Sequence, residues 1–348
     1  GGAQRSLFGS DHAHEVGGAA LLSDGTPLDG SVDTSQLLIV NSHFAGALAA
    51  GPGGALRATA GAVTSVNNRY TDNLATTGGG LHITAPVFTT CADQVQDNVA
   101  QLGAGGLYVA GELLAVTLEP DCATPTQVLG NATYGDGGGI LVDGSFYATS
   151  LLVEGNAAGG DGGGIHAHGE LGLTEGVSLV GNYAGGRGGG LTLDYLPDTS
   201  ELQLPDDVAP RPYIGAVSIV DNIATTGGGV VLSGSGLVDD VRAAPVFDGT
   251  NLERNTAYDA AALYIDPMSS LIAQGDDIYE QSDRIDGSVV LTGHVGPTAV
   301  VRGGRTGRWS LTVDADADAV LVDGSGACVL PTGVSTTSCD PGAPCSCP

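Results

Sequence analysis

Apolar side chains recur along this chain in short two-residue alternations and not at helical spacing. After Gly78-Gly79-Gly80 the sequence runs Leu81, His82, Ile83, apolar at the first and third positions and polar between them. Side chains that alternate with a period of two belong to a strand with one buried face. A second short strand with the same alternation precedes each of several Asn residues, as in Ser178-Leu179-Val180 and Val217-Ser218-Ile219. The glycine triplets and the many β-branched residues exclude helix.

These strands repeat. Gly triplets before an apolar residue return at 137 to 139, 162 to 164, 188 to 190 and 227 to 229, with a looser copy at Ala104-Gly105-Gly106. An Asn precedes each at similar phase: Asn73, Asn98, Asn131, Asn156, Asn182 and Asn222. Three residues before each Asn stands an apolar side chain: Tyr70, Val95, Val128, Val153, Leu179 and Ile219. Looser copies are read at Phe8–Asp11 with Gly17-Gly18-Ala19, at Leu38–Asn41, and at Leu252–Asn255 with Leu263. From Asn73 to Asn255 the Asn spacings are 25, 33, 25, 26, 40 and 33. The base period is therefore about 25, and the extra residues of the longer copies belong in surface loops.

Short strands joined by turns, one circuit per repeat and stacked in register, make an all-β solenoid, a parallel β-helix. Stacking would put Asn73, Asn98, Asn131, Asn156, Asn182, Asn222 and Asn255 in a column at the strand spacing of about 4.8 Å. Their amides can then bond along the axis as a ladder. We expect about eleven coils over residues 1–325, motif-bearing over about 8–266 and capping over about 267–325. At the strand spacing these span roughly 50 Å. A Pro, Gly and Ser-rich tail follows at 326–348.

The Φ-x-x-N and G-G-[A/G]-Φ pair resembles the tandem repeats of bacterial polymorphic outer-membrane proteins, whose motifs are F-x-x-N and G-G-A-I. Phe8-Gly9-Ser10-Asp11 with Gly17-Gly18-Ala19-Ala20 is a close variant, and Leu179-Val180-Gly181-Asn182 with Gly188-Gly189-Gly190-Leu191 is a clear copy. The resemblance covers about 8–266. It implies a right-handed β-helix of the pectin-lyase-like kind, displayed at the cell surface and associated with adhesion. The chain departs from the family in rarely having Phe at the apolar position and in carrying no C-terminal amphipathic barrel sequence.

Composition narrows the partners. The chain has 348 residues, 58 of them Gly, and 39 acidic against 11 basic side chains, a net charge of −28. Every basic residue is Arg. Such a chain repels nucleic acid and anionic membrane surfaces, and no apolar run is long enough to span a membrane. With one Met, one Trp and five Phe, the interior must be built from Val, Ile, Leu, Ala and Gly. The opening Gly1-Gly2-Ala3-Gln4-Arg5 is not that of a signal peptide, which suggests a mature or excised segment.

Cys91 and Cys122 fall at similar phase on neighbouring coils, close enough for a disulfide. Cys328, Cys339, Cys345 and Cys347 in the tail suit one or two disulfides, with three pairings open. Disulfides point to an oxidising, extracellular setting. Asp314-Ala315-Asp316-Ala317-Asp318 has the spacing of a calcium loop but lacks its Gly and its final Glu. No cofactor is expected; calcium at this run is the alternative. His12 and His14 fall in a turn where side chains point to water, and no metal site is expected there.

Pectin-cleaving hydrolases of this fold share N-T-D and R-I-K motifs, which are absent here. Asp206-Asp207, Asp239-Asp240 and Asp276-Asp277 lie outside the repeat strands. One outward column does carry chemistry: Thr84, Ala110, Asp143, His168, Asp194, Ser233 and Asp266, with His82, Tyr108 and His166 two positions earlier. Asp143, His168 and Asp194 should stack on consecutive coils, the carboxylates about 9.6 Å apart at the backbone. That separation is near the upper end for inverting glycoside hydrolases, and such a group could also hold a divalent metal. The expected role is a secreted or cell-surface structural or adhesive module that is not an enzyme. Its partners would be cell-surface proteins, glycans or further copies of itself. The alternative is a carbohydrate-active enzyme using that column.

Overall fold

The computed structural model describes residues 36–115, 124–169, 171–174, 176–194, 213–233 and 250–259. It also describes strand segments at 7–9, 12–13, 20–23, 246–248, 263–265, 271–274, 284–285, 287–291, 297–302, 309–313, 318–323, 326–329 and 337–339. Among the described residues every regular element is a strand. Each repeat feeds three sheets in turn. Leu151–Glu154 lies in the first sheet and Ala157–Ala158 in the second, while Ile165–Ala167 and Leu171–Leu173 lie in the third; Val177–Val180 then returns to the first. Successive repeats pair in parallel in all three sheets, with Val153 opposite Leu179, Ala157 opposite Tyr183 and Ile165 opposite Leu191. The chain is therefore all-β, with parallel strands in stacked sheets, an arrangement compatible with a parallel β-helix.

The inward positions of the alternation make columns. Leu56, Leu81, Leu107, Ile140, Ile165, Leu191 and Val230 face one another in register, and all are buried. A second column, in the first sheet, carries the apolar residue of the Asn motif and includes Phe44 and Tyr70, whose rings stack at 5.2 Å. Stacking like on like keeps the interior filled with aliphatic side chains and few aromatics, since each residue meets its own counterpart above and below.

This register corrects one expectation. Phe8, Phe44 and Tyr70 are opposite one another, so the motif copy upstream of Asn73 is Phe44 to Ala47 and not Leu38–Asn41. Gln36–Val40 belongs to the third sheet, where Leu38 is 64% exposed and Ile39 is the buried neighbour. Spacing alone matched Leu38 to the motif, but strand alternation turns it outward.

The Asn ladder forms as expected. From Asn73 to Asn255 each side-chain amide donates to the next Asn Oδ1 at 2.8–3.0 Å. That oxygen also accepts the preceding Asn backbone N–H at 2.9–3.0 Å. The second amide hydrogen goes to a carbonyl of the preceding repeat, as from Asn156 to Val128 at 2.9 Å. Buried polar groups need such partners, and here the ladder satisfies side chain and turn together. At the upstream end the Ala47 N–H donates to Asn73 Oδ1 at 2.9 Å.

The residue before each ladder Asn has positive φ: Asp72, Asp97, Gly130, Gly155, Gly181, Asp221 and Arg254. This left-handed residue bends the chain from the first sheet into the second. Beyond residue 266 the third sheet continues, with Gly287–Leu291 on Leu263–Ile265 and Trp309–Val313 on Gly287–Leu291. From the tail, Gly326–Val329 pairs antiparallel with Asp318–Asp323, and Thr337–Cys339 pairs antiparallel with Trp309–Val313.

Candidate functional site

Outward positions of the third sheet carry the polar column. Ala110 lies opposite Asp143, His166 lies between Leu141 and Thr192, and Asp194 lies opposite Ser233. His168 follows directly on Ile165–Ala167, and its N–H donates to the Val142 carbonyl at 3.0 Å, which holds it at the level of Asp143. The column is therefore as expected from Thr84 to Ser233; Asp266 lies outside the described residues.

The side chains converge. His168 Nδ1 is 2.6 Å from Asp143 Oδ1, and the Tyr108 hydroxyl donates to Asp143 Oδ2 at 2.6 Å. His166 Nε2 is 2.8 Å from Asp194 Oδ2, and His168 Nε2 is 3.9 Å from the same oxygen. The two imidazole rings are 4.3 Å apart and tilted by 60°. Counting positions finds the Asp143, His168 and Asp194 column, but the structure adds two partners. Tyr108 reaches Asp143 from the adjoining column, and His166 reaches Asp194 diagonally across one repeat. The His166 side chain is only 4% exposed, although its strand position faces outward.

The electrostatics follow from these contacts. Burial pushes Asp143 up, but the bonds from Tyr108 and His168 and the charges of both histidines outweigh it and hold the carboxyl below its ordinary range. Asp194 is likewise pushed up by burial and brought lower overall by His166, Arg187 and Ser233. The Tyr108 hydroxyl is pushed up to about 12, by burial first and then by its bond to Asp143 and that carboxylate's charge. Both carboxyls are thus ionised at neutral pH.

One buried polar feature and one contact were not read from the sequence. The Ser42 N–H donates to Asn68 Oδ1 at 2.8 Å, and the Asn68 N–H to Asp93 Oδ1 at 2.7 Å, a short second ladder at another corner of the repeat. Asn41, Asn67 and Ala92, just before these residues, all have positive φ, which was its one local signature. In the third sheet His82 stacks on Tyr108 at 4.5 Å, and its pKa falls to about 4 through burial and then the Arg57 charge.

Cys91 is buried and disulfide-bonded. Cys122, Cys345 and Cys347 lie outside the described residues, as do the side chains of Cys328 and Cys339 and with them the pairing. The same holds for Asp314 and Asp316, for the side chain of Asp318, for His14 and for the paired aspartates at 206, 239 and 276. No helix among the described residues is long and apolar enough to cross a membrane. Comparison with family models, with curated proteins and with solved structures finds no match to this chain.

Proposed function

We propose that the chain forms a right-handed parallel β-helix of about eleven coils and serves as a secreted or cell-surface structural or adhesive module. The resemblance to polymorphic outer-membrane repeats supports the handedness and the setting. The Asn ladder, continuous from Asn73 to Asn255, supports a stiff stack. The observation that carries an adhesive role is a column on the outer face of the second sheet. Leu48, Leu74, Val99, Ala132, Ala157, Tyr183 and Ile223 are opposite one another on successive strands. Val99 is 39% exposed, Tyr183 50% and Ile223 47%. At the strand spacing this uncharged stripe runs roughly 30 Å along a molecule of net charge −28. Exposed apolar side chains in one line, with half-buried Leu74, Ala132 and Ala157 between them, favour an interaction site, and the surrounding charge steers away acidic partners. Neutral cell-surface glycans and proteins fit it.

A glycan array and a whole-cell binding assay test this, with wild type compared against a Val99→Asp, Ile223→Asp double variant. Binding should fall at least about tenfold, about 1.4 kcal/mol, while the far-ultraviolet strand signal is kept. Equal binding by both proteins would remove the stripe from the account.

The enzyme alternative meets a specific obstacle. Hydrolysis of a glycosidic bond needs one carboxyl held protonated as general acid, whereas Asp143 and Asp194 are both held ionised. Polysaccharide turnover that disappears in both Asp143→Ala and Asp194→Ala, with the fold intact, would nevertheless promote it.

A further inference from the structure

We propose that His166, His168 and Asp194 form a three-ligand site for a divalent transition metal of the zinc class, with Asp143 and Tyr108 as its outer support. The inference is independent of the adhesive reading, which rests on a different sheet. One ligand atom from each of the three residues lies within 4.8 Å of the others. A tetrahedral zinc with bonds of about 2.0–2.1 Å places its ligand atoms roughly 3.3 Å apart. The distances of 2.8 Å and 3.9 Å from Asp194 Oδ2 to the two Nε2 atoms bracket that value.

The contacts behind the ligands are an independent observation. A metal-binding histidine ordinarily gives its other ring N–H to a carboxylate, which fixes the tautomer and turns the free lone pair to the ion. His168 has this arrangement: Nδ1 bonds Asp143 at 2.6 Å, and Nε2 faces the Asp194 oxygen. Tyr108 in turn donates to the other Asp143 oxygen and holds that carboxylate in place. The His166 ring is buried with its Nε2 toward Asp194, and its Nδ1 is buried without a hydrogen-bond partner. Two nitrogens and one oxygen select zinc, cobalt, nickel or copper over calcium and magnesium, which prefer oxygen alone. Three protein ligands also leave a coordination position for water or an incoming group.

Chelator-treated full-length chain titrated with Zn²⁺ in a calorimeter tests the site, with the visible spectrum of the Co²⁺ form as a second readout. One equivalent per chain should bind, undisturbed by excess Ca²⁺ or Mg²⁺, with a cobalt spectrum of nitrogen and oxygen ligation. His168→Ala removes an exposed side chain and should abolish binding. Asp143→Asn, outside the ligand set, should weaken it about 10–100-fold. Absence of stoichiometric binding would overturn the proposal. So would binding that His168→Ala leaves unchanged, displacement by Ca²⁺, or a cobalt spectrum of thiolate ligation.

Discussion

Asp93 is an acidic side chain held almost wholly out of water. Its carboxyl is 2% exposed, bonded by the Asn68 N–H at 2.7 Å and by the Thr90 hydroxyl at 2.7 Å. Burial pushes its pKa up to about 6, against the lowering effect of Ser65, Asn68 and Thr90. The folded chain therefore takes up this proton at higher pH than the unfolded chain does. Its charge destabilises the fold above about pH 6, and that loss is relieved as pH falls from 6 toward 4. A shift of this size corresponds to a few kcal/mol. Asp93→Asn removes the charge while keeping an oxygen for the Asn68 N–H and an amide for the Thr90 hydroxyl. The variant should be more stable than wild type at neutral pH, with the advantage gone near pH 4. Denaturant titrations across that range check it, and an advantage that does not change with pH would refute the account. His82, with its pKa lowered to about 4, acts oppositely, since the fold loses stability as pH falls from 6.5 through 4. The comparison must therefore be variant against wild type at each pH.

Turns, at the scale of the element, separate two uses of glycine that look alike in sequence. A Cβ on Gly138, in the middle of its triplet, would overlap the Gly163 carbonyl oxygen of the next repeat and lie 2.6 Å from the Ala157 carbonyl carbon. Gly155, with φ of 66°, has nothing within 4 Å of such a Cβ, so its requirement is conformational alone. Gly155→Ala should cost about 1–2 kcal/mol, the strain of a left-handed alanine. Gly155→Asp should cost less, since Asp72, Asp97 and Asp221 already hold that place in other repeats. Gly138→Ala must push two repeats apart and should cost clearly more than Gly155→Ala in thermal or denaturant unfolding; equal costs would show that close approach is not what the triplet serves. These turns also show what could be read from sequence. The Asn ladder was legible because one residue type recurs at one phase through seven repeats. The Ser42, Asn68 and Asp93 ladder was not, because three residue types share the position and it soon ends. The Asp143, His168 and Asp194 column followed from counting in twos. The reach of Tyr108 and the burial of His166 depend on rotamers and neighbours that counting does not supply.

Across the whole molecule, stability is a sum over repeats and the contacts between neighbours, because each repeat touches only the next. The ladder makes that coupling directional, and its middle and its end are not equivalent. Asn156→Leu removes the acceptor of both the Asn131 N–H and the Asn131 amide, and takes the donor from the Val128 carbonyl. Asn73→Leu takes one acceptor, from the Ala47 N–H, and one long bond of 3.3 Å from the Phe44 carbonyl. Each buried group left unpaired costs about 1–3 kcal/mol. The central substitution orphans one more strong donor, so it should be the more destabilising by about that amount. It should also weaken coupling between the two halves, whereas the substitution at Asn73 loosens only the upstream end. Denaturant unfolding followed by circular dichroism, with hydrogen exchange to locate the opening, checks both points. Asn156→Leu should lower the midpoint further and broaden the transition, with exchange rising on both sides of residue 156. If the two variants unfold alike, the ladder is a set of independent turns and does not act as a continuous spine.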